Sequence, residues 1–431
     1  MLWKPFLSRS LAALSLVIAM GAPAAFAQEP AAPTQIVRVG VIVPAIGPDA
    51  NALDGAIATA AEHGAILGGE EVQFNAELFG VGFELLIERA SGPDEAVAAA
   101  TRLAEQGAFG VIGGYSLDEA RALGEWSDTA GVAFINVGAT EDVLRNDACA
   151  ANMFHIEASA AMYLDALAGW YVRAGFRRWY IVQEDTEEGE ALYDRLIWAM
   201  ENRHFGARQA GHVTIPEGGE ITDAIVRQIN SSNSDLVILL LDAEDQLQAV
   251  HDLDDAGIRL EIAGYPYPDT QTRTFYAAYR AAAPTLGAGH RASNWEWTID
   301  AYGAREYNAR YVERWNEPMD GMAWATFHAV KTIFEATFFG QAVDPAGVVA
   351  YLKSPSTVID LHKGIAVSFR PWDRQIRQSL FLIKILDDPA ATPYTVALLV
   401  GELPAIYMPG TDPIERLDQL GDLANRSTCN L

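Results

Sequence analysis

The sequence predicts an α/β protein made of two doubly wound parallel-sheet lobes joined by a hinge. Three observations carry that expectation. Apolar strands alternate with helices from residue 37 onward, the alternation restarts after Cys149, and the chain is too long for a single hydrophobic core.

An export signal precedes the alternation. Lys4 and Arg9 stand ahead of an apolar run from Leu11 to Met20, and Ala25-Phe26-Ala27 is the small-x-small pattern that signal peptidases cut. The run is shorter than the roughly 18 to 20 residues a membrane span requires. Residues 1–27 are therefore expected to be removed, leaving a soluble periplasmic chain that starts near Gln28. No Cys lies at the cleavage site to take a lipid, and no later segment is apolar and long enough to span a membrane. The mature chain keeps 404 residues, and its net charge moves from −27 to −29 because the leader carries two basic residues and no acidic one. Such a field repels polyphosphates, which argues against nucleic acid and anionic membrane surfaces as partners.

After a Pro/Ala-rich linker, VRVGVIVP (Val37 to Pro44) reads as a strand buried on both faces. A helix over 52–67, a strand over 83–88, a helix over 94–105, a strand over 110–113, a helix over 117–129 and a strand over 132–137 follow. The second unit opens with a helix over 158–174 and the strand RRWYIVQ (Arg177 to Gln183). It continues with a helix over 189–202, a strand over 212–215, a helix over 221–230, the strand DLVILLL (Asp235 to Leu241) and a helix over 243–256. Such sheets take ligands beyond the carboxyl ends of their strands, so two facing units form one cleft. From about residue 287 the pattern is less regular: a strand-like stretch to Trp297, helices over 301–315, 321–338 and 345–352, and FRPWDRQIRQSLFLIKI (Phe369 to Ile385), read as a hairpin turning at Asp373-Arg374. A strand over 394–399 and a polar tail end the chain. The expected division is residues 35–155 with about 286–365 in lobe one, 156–285 with about 366–400 in lobe two, and a tail over 401–431.

Catalytic signatures are sparse. There is no phosphate loop, no GxGxxG after a strand, and no paired metal spacing among the eight histidines. GGYSLD (Gly113 to Asp118) places Ser116 between a strand and a helix, but Asp118 stands where a nucleophile elbow needs glycine. No enzyme activity is expected. The Ser116 hydroxyl and the free N–H groups of a helix start suit a carboxylate or other anion instead. VGATEDVL (Val137 to Leu144) offers a second loop of this kind, with the Ala139 N–H and the Thr140 hydroxyl; ordinary helix capping by Thr140 is the alternative. Cys149 and Cys429 are the sole cysteines, and an oxidising compartment makes a disulfide between them the expectation over two thiols.

The order of elements resembles the type I periplasmic solute-binding proteins, in particular the leucine/isoleucine/valine-binding receptors of ABC transporters. Its carriers are VRVGVIVP, the GGYS and INVGAT loops, and ARYVERWNEPMDGMAWATFHAVKTIFEA (Ala309 to Ala336). The resemblance implies a monomer that closes two lobes on a solute and delivers it to a transporter permease. It also implies that Tyr115, Ser116, Ala139 and Thr140 grip a ligand carboxylate. The chain departs from that group at Glu187-Glu188-Gly189, where relatives often have Tyr-Gly.

A narrower resemblance rests on FRPWDRQIRQ and the terminal Cys429-Asn430-Leu431, which look like receptors associated with pyrroloquinoline quinone (PQQ)-dependent alcohol dehydrogenase systems. It implies PQQ as the ligand, an aromatic tricarboxylate that needs a ring to stack on and cations to pair with. GHRASNWEW (Gly289 to Trp297) and the helix after it supply Trp295 as the stacking platform, Arg310 as the carboxylate partner and Arg291 as a second cation; Trp297, Arg305 and Arg314 lie close by in sequence. No cofactor beyond such a ligand is expected. The rival is a lanthanide or other cation, for which EDTEEGE (Glu184 to Glu190) is a dense oxygen source; its plainer role is acidic charge at a helix N-terminus. A branched-chain amino acid or small carboxylate, a secreted hydrolase and a ligand-sensing signalling partner complete the alternatives.

Overall fold

A computed structural model describes residues 35–429 except 49, 287–288 and 405–407. The export signal and Asn430-Leu431 lie outside the described residues. Lobe one holds a five-stranded parallel sheet in the order β2-β1-β3-β4-β5. Its strands are β1 (Ile36–Pro44), β2 (Gly82–Ala90), β3 (Ala108–Gly113), β4 (Ala133–Asn136) and β5 (Met153–His155), and they alternate with α1 (Ala52–Leu78), α2 (Pro93–Glu105) and α3 (Leu117–Ala130). β1 is apolar on both faces because both are covered. Val37, Val39, Val41 and Val43 enter one core with α1, while Ile42 enters another with α2 and α3.

Lobe two repeats the plan after α4 (Ala160–Ala174). A four-stranded parallel sheet runs β7-β6-β8-β9, from β6 (Arg178–Glu184), β7 (Arg208–Ile215), β8 (Leu236–Leu240) and β9 (Glu261–Gly264). Its helices are α5 (Glu187–Asn202), α6 (Asp223–Ser231), α7 (Ala243–Asp255) and α8 (Arg273–Ala282). Tyr180 and Val182 pack to one side of β6, Trp179 and Ile181 to the other. The chain then forms β10 (His290–Ser293), α9 (Ala304–Trp315), α10 (Gly321–Phe338), α11 (Pro345–Lys353), β11 (Leu380–Ile385), β12 (Ala397–Leu403) and α12 (Pro413–Leu417). β10, β11 and β12 form an antiparallel sheet. Ala292, Leu380, Leu382, Ile383 and Ile385 join the cores of lobe two, whereas Trp295 and most buried residues as far as Ile376 join that of lobe one. The chain therefore crosses between lobes near residues 156–158, 293–295 and 376–380.

α1 runs eleven residues beyond its expected end, through Gly64, Gly68 and Gly69. The glycines weaken the helix locally but admit α10: a Cβ on Gly64 would lie 2.3 Å from the Ala323 carbonyl, and one on Gly68 3.0 Å from that of Phe327. Contact with α10 outweighs local propensity. No helix among the described residues is long and apolar enough to cross a membrane.

The FRPWDRQIRQ segment is not a surface hairpin. Phe369 and Ile376 form one antiparallel bridge around the turn, Arg374 taking φ 55°, and Gln375 then pairs in parallel with His155 at the first crossing. Arg370, Asp373, Gln375 and Gln378 are each at most 3% exposed. Gln375 Nε2 donates to the Glu157 carbonyl (2.9 Å), Gln378 Nε2 to that of Ile156 (2.6 Å), and Arg370 Nη1 to that of Leu420 (3.0 Å). The segment satisfies backbone groups that the lobe crossings would otherwise bury unpaired. The tail is tied to lobe one by the expected disulfide between Cys149 and Cys429.

Candidate functional site

A cavity of about 530 Å³ opens between the lobes at the carboxyl ends of their strands. Lobe one contributes Pro44 and Ala45 after β1, Asp54 and Ile57 of α1, Tyr115 after β3 and Met322 of α10; lobe two contributes Tyr267, Pro268 and Asp269 after β9. Among the described residues no Lys, Arg or His lines it. Hydrogen bonds join the lobes beside it: Asn51 Nδ2 donates to Glu244 Oε1 (2.7 Å), the Tyr265 hydroxyl to Thr140 Oγ1 (3.0 Å), and the Arg273 N–H to the Asp320 carboxylate (3.2 Å).

Carboxylates converge on this region. Glu184, Asp242 and Asp245 each place an oxygen within 4.8 Å of the others. Glu184 ends β6, and Asp242 follows β8 as the N-cap of α7, so the position comes from the strand ends. Backbone donors hold the group: Asp242 N–H to Glu184 Oε1 (2.6 Å) and Gly218 N–H to Asp245 Oδ2 (2.8 Å). Burial, with the charges of Asp242, Asp245 and Glu188, pushes Glu184 up to about 7. Burial also raises Glu188 to about 7, with the Glu141 charge of lobe one next in weight and those of Asp242 and Asp269 behind it, against a hydrogen bond from Tyr267 that lowers it. Asp269 rises to about 6 by burial and the Asp242 charge. Glu141 is raised by burial, and its Oε2 is buried without a hydrogen-bond partner. Acids of both lobes thus share one field, and Glu184 and Glu188, raised to about 7, are held partly uncharged near neutrality.

The lobe-one loops are assembled as expected but already occupied. A Cβ on Gly138 would meet the Gly114 carbonyl at 2.8 Å, so glycine there lets the 113–116 and 137–140 loops touch. The Ser116 hydroxyl accepts from Glu119 N–H (3.3 Å) as the N-cap of α3. The Ala139 N–H, expected to face a ligand, is spent on the Gly114 carbonyl (2.8 Å) and Asn136 Oδ1 (2.9 Å). Thr140 Oγ1 accepts from Tyr265. Tyr115 alone of the four lines the cavity.

The residues expected to hold an aromatic tricarboxylate lie elsewhere. Trp295 is 2% exposed in the lobe-one core, stacked on Trp324 (centroids 5.9 Å), with Nε1 donating to Asn308 Oδ1 (3.0 Å). Both ring faces and its N–H serve packing, because the strand-end geometry assumed for it belongs to β10, which stops at Ser293. Arg291 is also 2% exposed and donates to Gln246 Oε1 (2.8 Å) and to the Tyr265 carbonyl (3.3 Å). Arg310 is on the outer face of α9, paired with Glu71 of α1. Arg305 and Arg314 pair likewise with Asp300 and Glu70. Sequence reading singled out the 184–190 run but missed Asp242, Asp269 and Glu141. The available signal was an acid directly after an apolar strand, as Asp242 follows Leu236–Leu241.

Solved structures similar to this chain share the fold. A branched-chain amino acid ABC transporter periplasmic ligand-binding protein from Burkholderia xenovorans is 13% identical, with a TM-score of 0.77 over 91% of this chain and 99% of its own. The closed form of a leucine-, isoleucine-, valine-, threonine- and alanine-binding protein from Brucella ovis is 13% identical, with a TM-score of 0.73 over 90% and 97%. LivJ of Streptococcus pneumoniae in complex with isoleucine is 15% identical, with a TM-score of 0.68 over 85% and 99%. No curated protein matches the sequence. The profile of the periplasmic binding protein family matches residues 36–389, so the chain belongs to that family.

Proposed function

We propose that this protein is the periplasmic solute-binding component of an ABC importer and that its solute carries positive charge, a hard multivalent metal ion being the form its oxygen cluster suits best. The observation that carries the ligand class is the cluster of Glu184, Asp242 and Asp245, whose field Glu188, Glu141 and Asp269 share, beside the interlobe cavity that Asp269 itself lines. Hard cations take carboxylate and carbonyl oxygen, and a solute that neutralises acids from both lobes supplies free energy for closing them. The family assignment supports the compartment and the carrier role, and the leader expected over residues 1–27 fits it. PQQ fits the cleft poorly: three carboxylates would enter an acidic field with no cation lining the cavity among the described residues. A branched-chain amino acid is supported by the fold of the solved structures alone.

Calorimetric titration of the purified protein with terbium, calcium, arginine, leucine and PQQ tests this. Saturable terbium or calcium binding is expected, and Glu184→Gln with Asp242→Asn is expected to weaken it at least ~100-fold, about 2.7 kcal/mol. Saturation by leucine or PQQ with none by any cation overturns the ligand class.

A further inference from the structure

We infer that Tyr265 is a specificity-determining residue that closes the lobe-one donor loops to carboxylate-bearing solutes. Strand-end hydroxyls beside a helix N-terminus are natural hydrogen-bond donors to an anionic oxygen, and Thr140 together with Ser116 at the start of α3 provides such a place. Here the Thr140 hydroxyl is met by the protein's own phenol from the opposite lobe, at 3.0 Å.

Tyr265 reaches that position from a rigid mount. Its N–H donates to the Leu239 carbonyl of β8 (2.8 Å). Its own carbonyl accepts from Gln246 Nε2 (2.9 Å), Arg291 Nη2 (3.3 Å) and Thr270 Oγ1 (3.3 Å). The preceding residue has to be glycine, because a Cβ on Gly264 would meet Gln246 Oε1 at 1.9 Å and Arg291 Nη1 at 2.5 Å. The ring is fully buried between Tyr163 and Tyr267, edge-on to each at 6.3 and 4.5 Å. Arg291, a buried guanidinium with no view of the cavity, thereby acts as a positioning residue for this phenol. The facing loop is equally fixed: Asn136 Nδ2 (2.7 Å) and Arg145 Nη1 (3.0 Å) hold the Ala139 carbonyl, and Ala160 N–H holds that of Thr140 (2.7 Å). With the lobes as they stand, a carboxylate seated on Thr140 would have to displace this phenol, which its backbone bonds and ring contacts hold in place. The device excludes anionic solutes while leaving the carboxylate cluster of lobe two to select cations.

The inference rests on the cleft being the solute site, and its test is separable from that reading. Leucine is titrated into wild type, Tyr265→Ala and Tyr265→Phe, each checked for a cooperative melt, while terbium titration of wild type alone reads the cation proposal. Tyr265→Ala is expected to bind leucine at least ~10-fold tighter than wild type, and Tyr265→Phe, which loses only the hydroxyl, about threefold tighter. Leucine affinity unchanged, weakened or absent in both folded variants overturns the inference. If the Ala variant does not fold, the Phe variant decides alone.

Discussion

The late segments of the chain and its interlobe cleft carry opposite chemistry. Residues 289–314 and 369–378 hold Arg291, Arg305, Arg310, Arg314, Arg370, Arg374 and Arg377, and Glu141, Glu184, Glu188, Asp242 and Asp245 gather beside the cavity that Asp269 lines. The arginines are occupied with scaffolding. Arg370 pairs with Asp373 inside the clasp around the hinge, Arg377 reaches Asp418 (2.8 Å), and Arg291 braces Tyr265. A buried guanidinium needs partners because its desolvation is expensive, so cations near a site in sequence are easily consumed by the frame that builds the site. In the acid group Glu141 Oε2 is buried without a hydrogen-bond partner, while Glu184 and Asp245 accept from backbone N–H groups and keep their mutual repulsion.

The largest effect expected from this contrast is on the frame. Trp295→Ala removes a fully packed indole and its bond to Asn308, and is expected to cost about 3–5 kcal/mol of stability while leaving cation affinity intact in the protein that remains folded. Thermal melts with parallel titrations check it; loss of affinity without loss of stability would bring Trp295 back into the site.

The pH response of the cleft comes next. Glu184 and Glu188 start from a value of 4.5 and rise to about 7 on folding. A carboxylate raised in this way stabilises the fold below its unfolded value and loses that contribution as pH rises through its folded value. Glu184 and Glu188 should therefore lower the melting temperature of the cation-free protein from about pH 6 to about pH 8, with Glu157 and Asp320 acting in the same sense and the buried His155, His204 and His328, whose values are lowered, in the opposite one, so Glu184→Gln with Glu188→Gln should flatten the fall. Cation binding runs the other way, since protons and cation compete, and should weaken roughly tenfold between those two pH values. Calorimetry at both reads the two trends together, and equal affinity at both would remove Glu184 and Glu188 from the ligand set.

The smallest effect is expected at Arg310→Ala. Its pair with Glu71 is solvent-exposed and worth about 0–1 kcal/mol, and no titrated solute should change in affinity. A measurable loss of binding would place the site on the outer face of α9.

Much of the fold was legible because its signals are local. Continuous apolar strands such as Val37–Pro44 and Leu236–Leu241, with helices of known period between them, predict covered parallel sheets, and the restart after Cys149 predicts two of them. β5, β9 and α8 were missed: two strands are only three and four residues long, and α8 is a short helix rich in tyrosine and arginine. The turn at Asp373-Arg374 was found, but its burial was not, because a charged decapeptide reads as surface until the backbone groups it satisfies at 155–157 are known.

The sequence by itself determined the two parallel-sheet lobes, the acidic surplus and the strand-end loops at Tyr115 and Thr140, all of which follow from composition or from neighbours along the chain; it made the Cys149–Cys429 disulfide an expectation that the structure then shows. Tertiary structure alone decided which charges face the cleft. A guanidinium or carboxylate is equally polar in sequence; whether it is spent inside the frame or left open to a solute depends on partners from distant elements, as Arg291 finds Gln246 and Thr140 finds Tyr265 across the cleft.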